Sequence, residues 1–215
     1  LYILAGNELL VKAVTQEMSR NSVNKIPELI IVSVPVRNSR KYHNYFTPTN
    51  SQTIGDGREI PGFLADTGKG EDFMSFLGNE LLPHIDSTYR TLPYRILNGH
   101  SLAGLFTLNA SLVKPDLFQA YLAIDPSLWW DEQVLVKHLE GNIKDGKYPE
   151  GAMYIALASR QREGRDSMDK PIINFSNQLK LTGTEDLYFR LQEFPEEHHG
   201  SVPILALYNG FQHIF

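Results

Sequence analysis

The residues best suited to chemistry are a serine in a glycine-flanked turn and, further on, carboxylates and imidazoles. The stretch Gly99-His100-Ser101-Leu102-Ala103-Gly104 is a G-x-S-x-G pattern with Ala in its fifth place and Gly directly after it. A serine hydroxyl becomes a nucleophile only when a base takes its proton. It must also stand clear of the backbone so that a carbonyl carbon can reach it. A sharp strand-to-helix turn does this and crowds the residues around the serine, so Gly99, Ala103 and Gly104 are the small side chains the turn requires. The turn opens a helix, which leaves the Leu102 N–H free to meet a developing oxyanion.

The flanks support that geometry. Tyr94 to Leu97 is a short apolar run that reads as a buried strand, and Leu105, Leu108 and Leu112 recur at helical spacing. Two later loops carry the partners a serine needs. Glu163 and Asp166 follow the strand-like Met153-Tyr-Ile-Ala-Leu-Ala158, and His198 and His199 follow the strand-like segment Leu187 to Phe194. The order serine, acid, histidine is that of a triad hydrolase. In this reading Ser101 attacks an ester carbonyl, His199 takes and returns the proton, and Glu163 orients the imidazole. Asp166 is a rival acid. Asp125 is a weaker one, because the strand it follows comes earlier. The second oxyanion donor is expected after the first strand, near Gly6 or Asn7. Glu196-Glu-His-His199 also invites a metal reading, but adjacent residues rarely converge on one ion and H-E-x-x-H spacing is absent, so no metal is expected.

Strands and helices alternate along the rest of the chain. Leu1 to Leu4 reads as a strand, followed by a helix to about Arg20. Leu29 to Val34 is a second strand closed by Pro35. Residues 36–70 form a long polar loop of the kind that shapes binding sites, with Tyr42, His43, Tyr45 and Phe46 close together. Glu71 to Tyr89 is an amphipathic helix. Tyr121 to Ile124 is a strand, and Asp125-Pro-Ser-Leu-Trp-Trp130 follows it. Trp129 and Trp130 either wall a substrate pocket beyond the strand ends or pack the next helix, expected over 132–143. Helices are also expected over 172–181 and at the C-terminus, where Ile204, Tyr208, Phe211 and Phe215 form a stripe. This pattern predicts an α/β fold with a mostly parallel central sheet and helices on both faces.

The 215 residues suit a single domain. A net charge of −5 without a Lys/Arg cluster argues against nucleic acid, and no apolar run approaches a membrane span. Zero cysteines exclude disulfides and thiolate chemistry. The chain opens directly on a core-like strand with no initiator Met, so strands are expected to precede Leu1, and the compartment is not legible.

Taken together, these segments resemble the Putative esterase (esterase D-like) family of α/β-hydrolases, in the branch of the enterobactin and salmochelin esterases. The carriers are Leu1-Tyr-Ile-Leu-Ala-Gly-Asn7, Phe46-Thr-Pro48, Glu80-Leu-Leu-Pro83, Tyr89-Arg-Thr91, Tyr94 to Leu105, Pro115-Asp-Leu-Phe118, Asp125 to Trp130, Glu163-Gly164 and His199-Gly-Ser-Val-Pro203. The resemblance implies carboxylic-ester hydrolysis with no metal or organic cofactor, on a small-molecule ester. It favours His199 over His198 and Glu163 as the acid. The residues themselves, read above, put Leu102 and Asn7 at the oxyanion, and Trp129, Trp130 and Tyr42 beside the substrate. Two features depart from the pattern: Ala5 where relatives commonly carry Asp, and the arginine spacing of residues 36–46. A binding protein without turnover and an acyltransferase using the same residues are the alternatives.

Overall fold

The computed structural model describes residues 1–6, 8–18, 26–35, 44–51, 53, 57, 59, 62, 66–159 and 166–215. Its centre is a six-stranded parallel sheet of β1 (Tyr2–Leu4), β2 (Val32–Val34), β3 (Ile96–His100), β4 (Ala120–Ile124), β5 (Gly151–Ala158) and β6 (Leu187–Phe194), in the order β2-β1-β3-β4-β5-β6. The order reverses at β1 and β3, so the carboxyl end of β3, where Ser101 follows, lies at the switch point of the sheet.

The sheet is covered on both faces, which is why β4 and β5 are apolar throughout rather than alternating. The helices are α1 (Glu8–Met18), α2 (Gly70–Phe76), α3 (Leu82–Thr88), α4 (Leu102–Val113), α5 (Trp130–Lys144), α6 (Asp166–Thr182) and α7 (Val202–Ile214). Successive residues of β5 divide between two cores. Met153, Ile155 and Leu157 join the core shared with α2 to α6. Ala152, Tyr154, Ala156 and Ala158 join the core shared with α1 and α7. The fold is the doubly covered α/β sheet that the alternation of elements predicts.

The differences are at element ends. The second strand pairs only over Val32–Val34, because on the edge it has a single neighbour, β1, whose three residues limit the register. The amphipathic helix expected over 71–89 is α2 and α3 joined by one π-helical turn at Leu77–Leu81. Helix α5 begins with Asp131, Glu132 and Gln133 at positive φ, so the right-handed helix starts only after them. Helix α6 starts six residues before the expected Ile172 and carries Pro171 inside it. Among the described residues no helix is long and apolar enough to cross a membrane.

Ile155 is fully buried in the central β5. Ile155→Ala is expected to lower unfolding free energy by about 2–5 kcal/mol. Urea denaturation checks this, and a loss below about 1 kcal/mol would show that this strand is not tightly packed.

Candidate active site

Ser101 sits between β3 and α4 with φ 62° and ψ −122°, a conformation that costs a non-glycine residue about 1–3 kcal/mol. Neighbouring hydrogen bonds hold it there. Its N–H donates to the Ile124 carbonyl at 3.0 Å, and its own carbonyl accepts from Leu105 at 2.9 Å and from Ser127 at 3.1 Å. The elbow is therefore strapped to the end of β4 as well as to its own helix. A Cβ on Gly99 would lie 2.1 Å from the Ala103 carbonyl oxygen and 2.6 Å from Thr107 Oγ1. Glycine at that position is a steric requirement of the turn.

The structure brings three side chains into a line. His199 Nε2 lies 3.0 Å from Ser101 Oγ. On the other side of the ring, His199 Nδ1 lies 2.5 Å from Asp125 Oδ2. Asp125 is buried, follows β4 at φ 42°, and accepts a second hydrogen bond on Oδ1 from the Ala158 N–H at 3.1 Å. A carboxylate can only accept here, so it holds the proton on Nδ1 and leaves the Nε2 lone pair facing the serine hydroxyl. Ser127 Oγ stands 3.4 Å from Ser101 Oγ.

The loop after β6 selects between the two histidines. His198 is exposed, and its ring Nδ1 accepts from the Gly200 N–H at 3.1 Å. Its carbonyl accepts from Ser201 and Val202 at 3.0 and 3.1 Å, and Glu197 accepts from the Ser201 hydroxyl. His198 thus builds the turn that opens α7, and His199 is directed at Ser101. Among the described residues no group of three or more His, Asp or Glu is arranged to hold a metal ion.

The expected acid, Glu163, lies outside the described residues, as do Asn7 and Tyr42. The side that Glu163 was expected to occupy, Nδ1 of His199, is met by Asp125, and a ring nitrogen carries only one proton to give. Sequence order disfavoured Asp125, yet a signal was present: a carboxylate directly after a wholly apolar strand and before Pro126 must be buried, and a buried carboxylate needs a partner. Trp130 needs correcting as a pocket wall. It is fully buried against the core, and its indole N–H donates to the Thr49 carbonyl at 3.2 Å. Trp129 is half-buried and faces the site.

Two clefts meet at Ser101. One, of about 340 Å³, runs past Leu102, Ala5, Leu4, Leu10, Phe46 and Pro203. The other, of about 220 Å³, runs past His199, Asp125, Pro126, Met168 and Ile172. Ser127 and Trp129 border both. Larger hollows elsewhere on the surface contain none of the three aligned side chains.

His100 lies against His199 with ring centroids 4.3 Å apart. Burial lowers its pKa to about 4, and the neighbouring His199 adds to that. Asp125 and a hydrogen bond to the His199 backbone act the other way. It is therefore neutral at pH 7.

A parallel sheet with a serine elbow after its central strand and an imidazole bridged to a carboxylate defines the α/β-hydrolase class. The comparisons agree. A profile of the Putative esterase family matches residues 1–174, and the chain belongs to that family. It is a carboxylic ester hydrolase. The ferri-bacillibactin esterase BesA of Bacillus subtilis is 27% identical over 96% of this chain and 75% of its own length. A siderophore enterobactin esterase of Emericella nidulans is 25% identical over 98% of this chain and 80% of its own. Among solved structures, an IroE-like serine hydrolase from Shewanella oneidensis superposes with a TM-score of 0.87 at 29% identity, covering 99% of this chain and 68% of that one.

Two predictions follow from this geometry. Gly99→Ala should displace the elbow, lowering thermal stability by several degrees and ester turnover by at least about 100-fold, as a 1 Å misplacement does; normal values in calorimetry and kinetics would contradict the crowding. For His100, the unfolded side chain titrates near 6.5 and the folded one at about 4. The unfolded chain takes up the proton first, so this contribution is intact above pH 6.5 and is lost as pH falls toward 4. Urea unfolding at pH 7.5 and pH 5 should show about 2 kcal/mol more loss in the wild type than in His100→Gln.

Proposed function

We propose that the protein hydrolyses carboxylic esters through Ser101, His199 and Asp125, with an acyl-enzyme intermediate. The observation that carries this reading is the alignment of the three side chains, with His199 Nε2 at 3.0 Å from the hydroxyl and Nδ1 at 2.5 Å from a buried carboxylate. In the first half-reaction the Ser101 oxygen bonds to the ester carbon as its proton passes to His199 Nε2. The C–O bond to the alcohol then breaks, and the same proton leaves with the alcohol. In the second half-reaction water adds to the acyl-enzyme, giving its proton to His199. Ser101 regains a proton as the carboxylic acid departs. Asp125 keeps its charge throughout and stabilises the imidazolium. The Leu102 N–H, in the first turn of α4 where helix N–H groups lack an intrahelical acceptor, is the proposed oxyanion donor, together with the N–H of Gly6 or Asn7.

Asp125 takes the role that sequence order assigned to Glu163. Support comes from its burial and from the second hydrogen bond it accepts from the Ala158 N–H, which restrains the carboxylate. Trp129 is the proposed aromatic wall of the substrate site. Relatives named as siderophore esterases make a siderophore-type lactone the leading substrate class, with smaller acyl esters beside it. The 215 residues are proposed to work as one hydrolase domain built on the one sheet.

Labelling with a fluorophosphonate followed by peptide mapping, with p-nitrophenyl acetate turnover on the same sample, tests the nucleophile. Modification at Ser101 and loss of turnover by about 10⁴-fold or more in Ser101→Ala are expected. Asp125→Asn should cost about 10³–10⁴-fold. An Asn that keeps its carbonyl on Ala158 turns its NH₂ to Nδ1 and moves the ring proton to Nε2, the wrong tautomer. Unlabelled Ser101 in folded protein, or full activity of Asp125→Asn, would overturn the assignment.

A further inference from the structure

We infer that the two clefts meeting at Ser101 divide the ester between them: the alcohol half lies in the smaller cleft against Met168 and Ile172, and the acyl half in the larger one between Leu4, Leu10, Phe46 and Pro203. The assignment rests on Ser101 and His199 acting as proposed above. It follows from where the proton must go. When the tetrahedral intermediate collapses, the proton that passes to the departing oxygen is the one His199 Nε2 took from Ser101, so that oxygen lies beside the imidazole. The cleft that contains His199 is the one of about 220 Å³. The oxyanion points the other way, toward Leu102 and Ala5, both of which line the cleft of about 340 Å³. The third substituent of the carbon, the acyl chain, has the rest of that larger cleft. Trp129 and Ser127 border both clefts and mark the plane of the scissile bond.

The chemistry of the walls specifies the two halves. Beyond the polar groups of the line itself and Ser127, the alcohol cleft is walled by Pro126, Trp129, Met168 and Ile172, which suits an apolar or aromatic alcohol of modest size. Met168 is half-buried on α6, and its unbranched thioether can adjust to such a group. The acyl cleft is larger and apolar at its Leu4, Leu10 and Phe46 end, so the ester that fits carries its bulkier half on the acyl side. Once the alcohol has left, water enters through the smaller cleft, since the second half-reaction retraces the first at the same imidazole. Met168 is therefore a specificity residue for the alcohol and Pro203 is one for the acyl chain.

Two ester series separate these roles. One holds the acyl group as acetate and varies the alcohol from methyl to benzyl to phenethyl. The other holds p-nitrophenol and varies the acyl group from acetate to hexanoate. Met168→Trp fills the alcohol cleft. It is expected to lower the kcat/KM ratio of phenethyl over methyl acetate by about tenfold or more, with the hexanoate-to-acetate ratio moving less than about twofold. Met168→Ala should shift the alcohol ratio the opposite way, which also guards against a misfolded tryptophan variant. Pro203→Trp is expected to act on the acyl ratio alone. Reversed sensitivities, or equal shifts of both ratios in each variant, would overturn the assignment while leaving Ser101-dependent hydrolysis intact. Loss of Ser101 dependence in the wild type would overturn both readings together.

Discussion

The arrangement at the site depends on one hydrogen bond, from His199 Nδ1 to the buried carboxylate of Asp125. A buried carboxylate is costly unless its oxygens are bonded. Asp125 meets this with one oxygen on the Ala158 N–H at the end of β5 and the other on the imidazole carried by the loop after β6. Its own N–H donates to Ala156 at 2.8 Å. The ends of three neighbouring strands are thereby joined through a single side chain. Charge-assisted bonds of this kind are each worth about 1.5–3 kcal/mol. The same bond sets the tautomer of His199, so the interaction that stabilises the corner also decides which ring nitrogen faces Ser101.

Strain gathers at the same edge of the sheet. Ala5, Ser101 and Asp125 are non-glycine residues with φ of 49°, 62° and 42°, and each follows directly on a parallel strand, respectively β1, β3 and β4. All three border the clefts that meet at Ser101. Left-handed backbone costs about 1–3 kcal/mol at each such residue and survives only where the surroundings over-determine it. Here the strands supply that, being hydrogen-bonded on both sides and buried on both faces. The rigid sheet holds the turns, and the turns point side chains beyond the strand ends.

His100 shows how closely the scaffold and the site are joined. It ends β3, and its neutral ring lies against His199. A positive charge there would repel any charge on His199, and burial that keeps His100 uncharged avoids that repulsion.

Much of the fold was legible in the chain, because alternating apolar strands and amphipathic helices report burial locally. The turn at Ser101 was legible for the same reason: Gly99, Ala103 and Gly104 answer a steric demand within six residues. Trp129 and Trp130 show where local reading stops. They are adjacent and alike in chemistry, yet one faces the clefts and the other is sealed in the core, because the turn before α5 decides which way each ring points. The carboxylate that meets His199 was likewise decided in three dimensions. Asp125 and His199 are 74 residues apart, and sequence order cannot measure the distance between the ends of strands. The sequence by itself determined a mostly parallel α/β sheet with a serine in a crowded strand-to-helix turn. Tertiary structure chose which acid, which histidine and which tryptophan stand beside that serine, because burial and hydrogen-bond reach depend on how the strand ends are assembled.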